Sequence, residues 1–234
     1  MKQRLDKFIS SQSGLSRSEA VKAIKASRAA VNGAVCRQPD AKVDTDSDTI
    51  VLDGMELSYR EHAYYMMNKP AGVVSATEDR DDRTVIDLLP IELRREGLFP
   101  AGRLDKDTTG LMIITDDGDY AHRMLSPKKH VDKLYTVTLD RPADSGDLVR
   151  FAEGIELKDG TVCKPAEATV LDDGRVEIVI SEGKYHQVKR MFAAAGYHVT
   201  ALRRERIGAL RLDDSLAPGE FREMSADEAN AVFN

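Results

Sequence analysis

The sequence predicts an α+β fold in two parts: a small N-terminal α/β module, then a larger domain with a mostly antiparallel mixed sheet and flanking helices. Three observations carry this. The first fifty or so residues read as two short amphipathic helices and a hairpin. Several short β-like runs follow residue 63, and the helical runs between them lack the regular alternation of a parallel, doubly wound sheet. At 234 residues there is room for both parts, and 41% hydrophobic with 32% charged residues is the composition of a chain that folds.

The first helix is predicted over residues 4–12, where Leu5, Phe8 and Ile9 share one face. A second is predicted over 17–27, introduced by Ser16-Arg17-Ser18-Glu19, a capping box in which Ser16 and Glu19 satisfy each other's free amides. Ala30-Val31-Asn32-Gly33-Ala34-Val35 reads as strand, Asn-Gly turn and strand, the strongest short-range hairpin signal. A closing strand is expected over 48–54, and the polar stretch 56–62 reads as a hinge. Beyond it, strands are expected at 64–67, 110–115, 133–139, 166–171 and 175–180, with helices at 118–125, 145–153 and 185–195. The expected domains are residues 1–58, a linker at 59–62, and residues 63–234.

A net charge of −6 would by itself argue against a nucleic-acid partner, but the charge is unevenly placed. Residues 1–43 hold nine Lys and Arg against Asp6, Glu19 and Asp40, a net of +6, which leaves −12 on the rest of the chain. A basic head on an acidic body suggests nucleic-acid contact by the head. Cys36 and Cys163 lie far apart with no CxxC spacing, so neither a disulfide framework nor a zinc site is expected. The chain opens on a polar segment with no signal-peptide core, and no run approaches ~18 apolar residues. A cytoplasmic protein with no membrane contact is therefore expected.

The N-terminal pattern resembles the S4 RNA-binding domain through Arg4-Leu5-Asp6-Lys7-Phe8, Ser16-Arg17-Ser18, Val31-Asn32-Gly33 and Asp48-Thr49-Ile50. It departs from that family at Ser27-Arg28-Ala29, where a glycine often follows the second helix. The resemblance implies that Arg17, Lys22, Lys25 and Arg28 lie on or near a phosphate-facing surface.

Three later segments could carry chemistry. Asn68-Lys69-Pro70-Ala71-Gly72-Val73 reads as a strand-to-loop turn. In Gly102-Arg103-Leu104-Asp105-Lys106, an acid sits between a glycine turn and a strand with bases on either side. Spacing alone leaves Asp105 open as either a catalytic group on a scaffolded loop or a turn-stabilising residue. In Glu182-Gly183-Lys184-Tyr185-His186-Gln187-Val188-Lys189-Arg190-Met191, the bases His186, Lys189 and Arg190 share one helical side. They form either a functional positive patch or a solvated helix start. A further basic run, Arg203-Arg204-Glu205-Arg206, follows.

In this order, behind an S4-like head, these segments resemble the RsuA branch of the pseudouridine synthases over essentially the whole chain. The resemblance implies isomerisation of a uridine within RNA, with no metal, nucleotide or redox cofactor. It implies Asp105 as the catalytic carboxylate, Tyr135 as the aromatic packed against the target base, and Lys189 as the cation beside the aspartate, with the adjacent Arg190 as the competitor for that place. Arg103 falls near the displaced nucleotide, Arg190 is a further RNA contact, and Lys69 falls in a mainly structural motif. The implied substrate is a uridine of small-subunit (16S) ribosomal RNA, within an assembly intermediate, acted on by a monomer. Alternatives are a large-subunit enzyme, a non-catalytic RNA-binding assembly factor, and a glycosidase-like hydrolase. The last lacks a partner acid at a matching motif.

Overall fold

The computed structural model describes residues 1–126 and 129–234. The chain forms two compact units: Met1–Ala63 with Leu89–Leu98, and Tyr64–Leu88 with Phe99–Asn234.

In the first unit the order is β1 (Lys2–Arg4), α1 (Leu5–Gln12), α2 (Arg17–Lys25), β2 (Ala29–Val31), β3 (Ala34–Val35), β4 (Lys42–Asp44), β5 (Ile50–Leu52) and β6 (Met55–Leu57). The capping box forms as the sequence predicts: the Glu19 amide donates to Ser16 Oγ at 3.3 Å, and the Ser16 amide donates to Glu19 Oε2 at 2.8 Å. Helix α2 stops two residues short of its predicted end. Ser27 turns left-handed at φ 65, with its amide on Ile24 O and the Arg28 amide on Ala23 O. This is a Schellman ending, whose left-handed residue is most often glycine. Serine accepts the same turn at a strain of roughly 1 kcal/mol.

The predicted hairpin is present, with Asn32 at φ 50 and Gly33 at φ 79, as a type I′ turn requires. Asn32 also binds Asp48 through its amide nitrogen and the Thr49 amide through its oxygen. Leu5, Phe8, Ile9, Ala20, Ala23 and Ile24 pack on Val43, Ile50 and Leu52 to make this unit's core. The predicted hinge differs in part: Glu56 lies in β6, hydrogen-bonded to β5, because Met55 to Leu57 complete a hairpin whose turn is Asp53 and Gly54, both at positive φ. Segment Leu89–Leu98 packs here rather than with the residues around it in sequence. A side chain at Gly14 would lie 1.8 Å from Ile91 O, so only glycine admits this approach.

The second unit runs β7 (Tyr64–Lys69), β8 (Phe99–Pro100), β9 (Thr109–Thr115), α3 (Gly118–Leu125), β10 (Lys133–Leu139), α4 (Ser145–Ala152), β11 (Glu167–Val170), β12 (Val176–Ile180), α5 (Gln187–Ala194), β13 (Val199–Ile207), β14 (Leu210–Arg211), β15 (Phe221–Glu223) and α6 (Ala226–Ala231). Its sheet has the order β11-β12-β10-β13-β9-β7-β15, with β8 on β9 and β14 on β13. Among the described residues only the β13 to β9 strand pairing of this sheet is parallel, so the fold is α+β with the mostly antiparallel mixed sheet that the sequence predicts. At that pairing Gly110, φ +99, meets Arg204: a Cβ there would stand 2.3 Å from Arg204 O.

Strand β13 is the main departure from the sequence reading, which found only a basic run there. Its nine residues form the centre of the sheet, with Leu202 and Ile207 buried and Arg204 only 3% exposed, its Nε donating to Leu111 O at 2.8 Å. Helix α5 begins two residues later than predicted, and the C-terminal β15 and α6 were not predicted at all.

Candidate active site

Asp105 lies on the loop between β8 and β9, which is tied down at several points. Gly102 turns at φ +94, a region that favours glycine. The Ser75 hydroxyl donates to Leu104 O at 2.8 Å and accepts from the Leu104 amide at 3.0 Å, so one side chain satisfies both backbone groups of the preceding residue. The Thr108 amide closes a turn on Asp105 O at 3.1 Å. Lys69, fully buried at the end of β7, donates to Thr108 O at 2.8 Å, Pro70 O at 3.0 Å and Lys106 O at 3.4 Å. Its ammonium thus crosslinks the far side of the Asp105 loop to the turn after β7. Burial pushes Lys69 down to about 8, against the pull of Asp107 and Asp105.

The groups that meet the carboxylate come from the segment entering α5. Lys189 Nζ is 2.9 Å from Asp105 Oδ2 and 2.6 Å from Asp107 Oδ1. Burial acts to lower the Lys189 ammonium, but the hydrogen bonds it donates to Asp107 and Asp105 outweigh burial and leave it raised. The same Lys189 bond holds Asp107 below the usual carboxylate range, against burial. Arg190, the alternative partner in the sequence, points elsewhere: it pairs with Asp159 at 2.5 Å and donates to Tyr185 O at 3.3 Å. Spacing could not separate neighbours that leave one helix 100° apart.

His186 Nε2 stands 3.4 Å from the other carboxylate oxygen, Asp105 Oδ1. The sequence reading placed His186 in the basic cluster and gave it no role. Its position depends on a backbone feature invisible in the sequence, a left-handed turn at φ 47, ψ 36 directly before α5. Non-glycine residues held there are strained, and such strain gathers at functional sites. Buried Gln187 braces the turn: its Oε1 accepts from the Lys184 amide at 2.9 Å and its Nε2 donates to Glu182 Oε1 at 2.7 Å.

Tyr135 reaches the same place from β10, paired with Ile178 of β12 and Arg204 of β13. It is 7% exposed and lines a cleft with Arg103, Asp105, Thr108, Ile180 and Leu202. The structure thus brings Asp105, Tyr135, Lys189 and Arg103 together, and turns Arg190 to Asp159 instead. A carboxylate with a cation on one oxygen, an imidazole near the other and an aromatic ring in the same lining suits acid, base or nucleophilic work on a flat ring. Among the described residues no cluster of three His, Cys, Asp or Glu could hold a metal ion.

In the first unit, Lys22 and Lys25 are exposed along α2. Arg17 lies 3.6 Å from buried Asp6, and Arg28 is matched by Asp53 through bonds of 2.7 and 2.5 Å. The predicted basic face therefore has two open cations and two that are already paired. No helix among the described residues is long and apolar enough to cross a membrane.

Residues 63–194 match the family described as RNA pseudouridylate synthase, and residues 3–50 match the S4 domain. The chain is 44% identical over 233 residues to the Ribosomal small subunit pseudouridine synthase A of Yersinia pestis, covering 98% of this chain and 97% of that one. It is 47% identical to the protein of that name from Pasteurella multocida, with 99% of each covered. A solved structure described as a pseudouridylate synthase superposes with a TM-score of 0.69 at 42% identity, over 98% of this chain and 99% of the other.

Proposed function

We propose that this chain, which belongs to the RNA pseudouridylate synthase family, converts a uridine of small-subunit (16S) ribosomal RNA to pseudouridine with Asp105 as its catalytic carboxylate. The observation that carries the assignment of Asp105 is the clamp around it, with Lys189 at 2.9 Å on one oxygen and His186 at 3.4 Å from the other, in a cleft lined by Tyr135. The substrate is argued from the names of the relatives and from the S4 head.

The reaction breaks the bond between N1 of uracil and C1′ of ribose, turns the uracil, and joins C1′ to C5. The C5 proton leaves and N1 takes one up, so composition is unchanged. Attack by the carboxylate on C1′, attack on C6, or removal of the C2′ proton all use the Asp105 carboxylate, which has Lys189 Nζ 2.9 Å from Oδ2 and His186 Nε2 3.4 Å from Oδ1. A stacked base hides these atoms, so the uridine leaves its helix or loop and enters the cleft, at a cost of a few kcal/mol. Stacking on Tyr135 offsets about 1 to 3 kcal/mol of that. Arg103 is placed for the phosphate of the displaced nucleotide, and Lys22 and Lys25 of the S4 head for phosphates further off. The enzyme acts as a cytoplasmic monomer on an assembling small subunit.

The Tyr135→Phe variant keeps the ring and is expected to retain turnover within about 3-fold, whereas Tyr135→Ala loses about 5- to 150-fold in kcat/KM, the equivalent of one stacked base. Loss of all activity in Tyr135→Phe would give the hydroxyl a chemical role and overturn the stacking assignment. The reaction itself is tested by incubating the protein with free 16S RNA, free 23S RNA and precursor small subunits, then mapping pseudouridine chemically. One new site in the 16S RNA is expected. A new site in 23S RNA alone would overturn the substrate, and no new site in any sample would overturn the activity.

A further inference from the structure

Of the thirteen Tyr and Phe side chains in the sequence, one is exposed among the described residues: Tyr185, at 76%. It lies beside the site rather than on a remote surface. Its ring stacks on His186 with centroids 3.8 Å apart and planes 19° apart, and His186 is the residue that approaches Asp105. Tyr185 and His186 line a second cleft with Arg103, Asp105, Lys106 and Lys184. The segment is held from behind, because Arg190 donates to Tyr185 O and is itself anchored by Asp159, and because Gln187 braces the turn. An aromatic ring fixed in water, beside cations and one residue from the site, gains nothing from the protein core by its position.

We infer that the Tyr185–His186 stack is a binding platform for a second base of the RNA, a nucleotide flanking the target uridine, which lies on the open face of Tyr185 while the target occupies the cleft at Tyr135. The two rings already stacked extend the surface that a base meets, and Arg103 stands in the same lining to meet its phosphate, with Lys184, paired to Glu182, beside it. Stacking accepts any base, so the platform sets the geometry of the flanking nucleotide rather than its identity. It also explains the left-handed His186: that turn delivers one ring to Asp105 and leaves the next ring open to solvent. This inference rests on the RNA substrate proposed above.

The test compares wild type, Tyr185→Phe and Tyr185→Ala on a 16S RNA fragment containing the mapped uridine, and on the same fragment with an abasic residue at each flanking position in turn. Tyr185→Ala is expected to raise KM about 5- to 150-fold, with kcat changed far less, and Tyr185→Phe to behave as wild type. On one of the abasic RNAs wild type is expected to show the same rise, and Tyr185→Ala no further one. If the Tyr185→Ala loss persists undiminished on both abasic RNAs, or if KM does not change, the platform is overturned. A second arm is independent of turnover: wild-type protein is titrated with the RNA carrying 2-aminopurine at the flanking position. Quenching that Tyr185→Ala abolishes supports the stack, and equal quenching by both proteins overturns it. Failure to map a uridine counts against the proposed reaction, on which the platform rests; with the uridine mapped, equal quenching by both proteins counts against the platform alone and leaves the reaction standing.

Discussion

Asp105→Asn is expected to abolish pseudouridine formation, by roughly 10⁴-fold or more, while leaving the fold and RNA affinity intact. The size follows from the role: removal of a group that acts directly on the reacting atoms costs about that much in enzymes whose groups work as a unit. The small effect on the fold follows from the geometry. Asparagine has the same shape, the Asp105 side chain is 27% exposed, and Lys189 keeps Asp107 at 2.6 Å when the first carboxylate is neutralised. No buried charge is left without a partner, which is the usual reason for a large stability loss. Removing one negative charge from a surface that meets a polyanion also makes affinity equal or slightly greater. Product is read by chemical mapping, binding by titration at fixed salt, and folding by thermal denaturation. Substantial turnover by a pure, folded variant, checked by mass spectrometry for reversion to Asp, would defeat the assignment.

Much of this arrangement is legible in the sequence, and the rest is hidden for identifiable reasons. Ser16 with Glu19 and Asn32 with Gly33 are local devices whose geometry depends on a few adjacent residues, and both form as predicted. The Asp105 loop was readable as a site only through its resemblance to a family, since the same acid between a glycine and a strand suits a turn equally well. Strand β13 escaped because Arg203, Arg204, Glu205 and Arg206 break any apolar alternation. The sheet tolerates them because Arg204 finds a backbone carbonyl and Arg203 finds Glu205 at 3.0 Å, long-range and local pairings that periodicity does not carry. His186 escaped because its value lies in a backbone angle. Lys189 against Arg190 is undecidable for a similar reason: the choice depends on where Asp159 stands, thirty-one residues before Arg190.

Lys69 is the residue whose importance the sequence understated, and Lys69→Met is expected to cost about 3 kcal/mol of stability and at least 10-fold in kcat. Methionine fills the space of the aliphatic stem but donates nothing. Lys106 O keeps its bond from the Gly72 amide at 2.8 Å, whereas Thr108 O and Pro70 O lose the donor that Lys69 supplies. A buried carbonyl left unsatisfied costs about 1 to 3 kcal/mol, partly offset because a desolvated ammonium is removed as well. The catalytic effect follows because those carbonyls flank the loop that aims Asp105, and small misplacements of a reacting group are expensive. The pH dependence separates this account from simple loss of packing. Burial holds Lys69 at about 8 in the folded protein, below its ordinary value of about 10.5. Below pH 8 both folded and unfolded chains carry the proton, and the burial cost is present in full. Between about pH 8 and 10 the folded chain has released a proton that the unfolded chain still holds, so this group adds stability as pH rises. Lys133, also pushed down to about 8 by burial, acts in the same direction, whereas Met1 and Cys163, both raised, oppose it, so the total curve does not isolate Lys69. The difference between wild type and Lys69→Met does: the deficit of the variant in urea denaturation is expected to widen from pH 7.5 to pH 9.5. A constant deficit would mean that Lys69 enters the fold without an ionisation cost, and a narrowing one that hydrogen bonds to its ammonium outweigh burial; either would overturn the burial account.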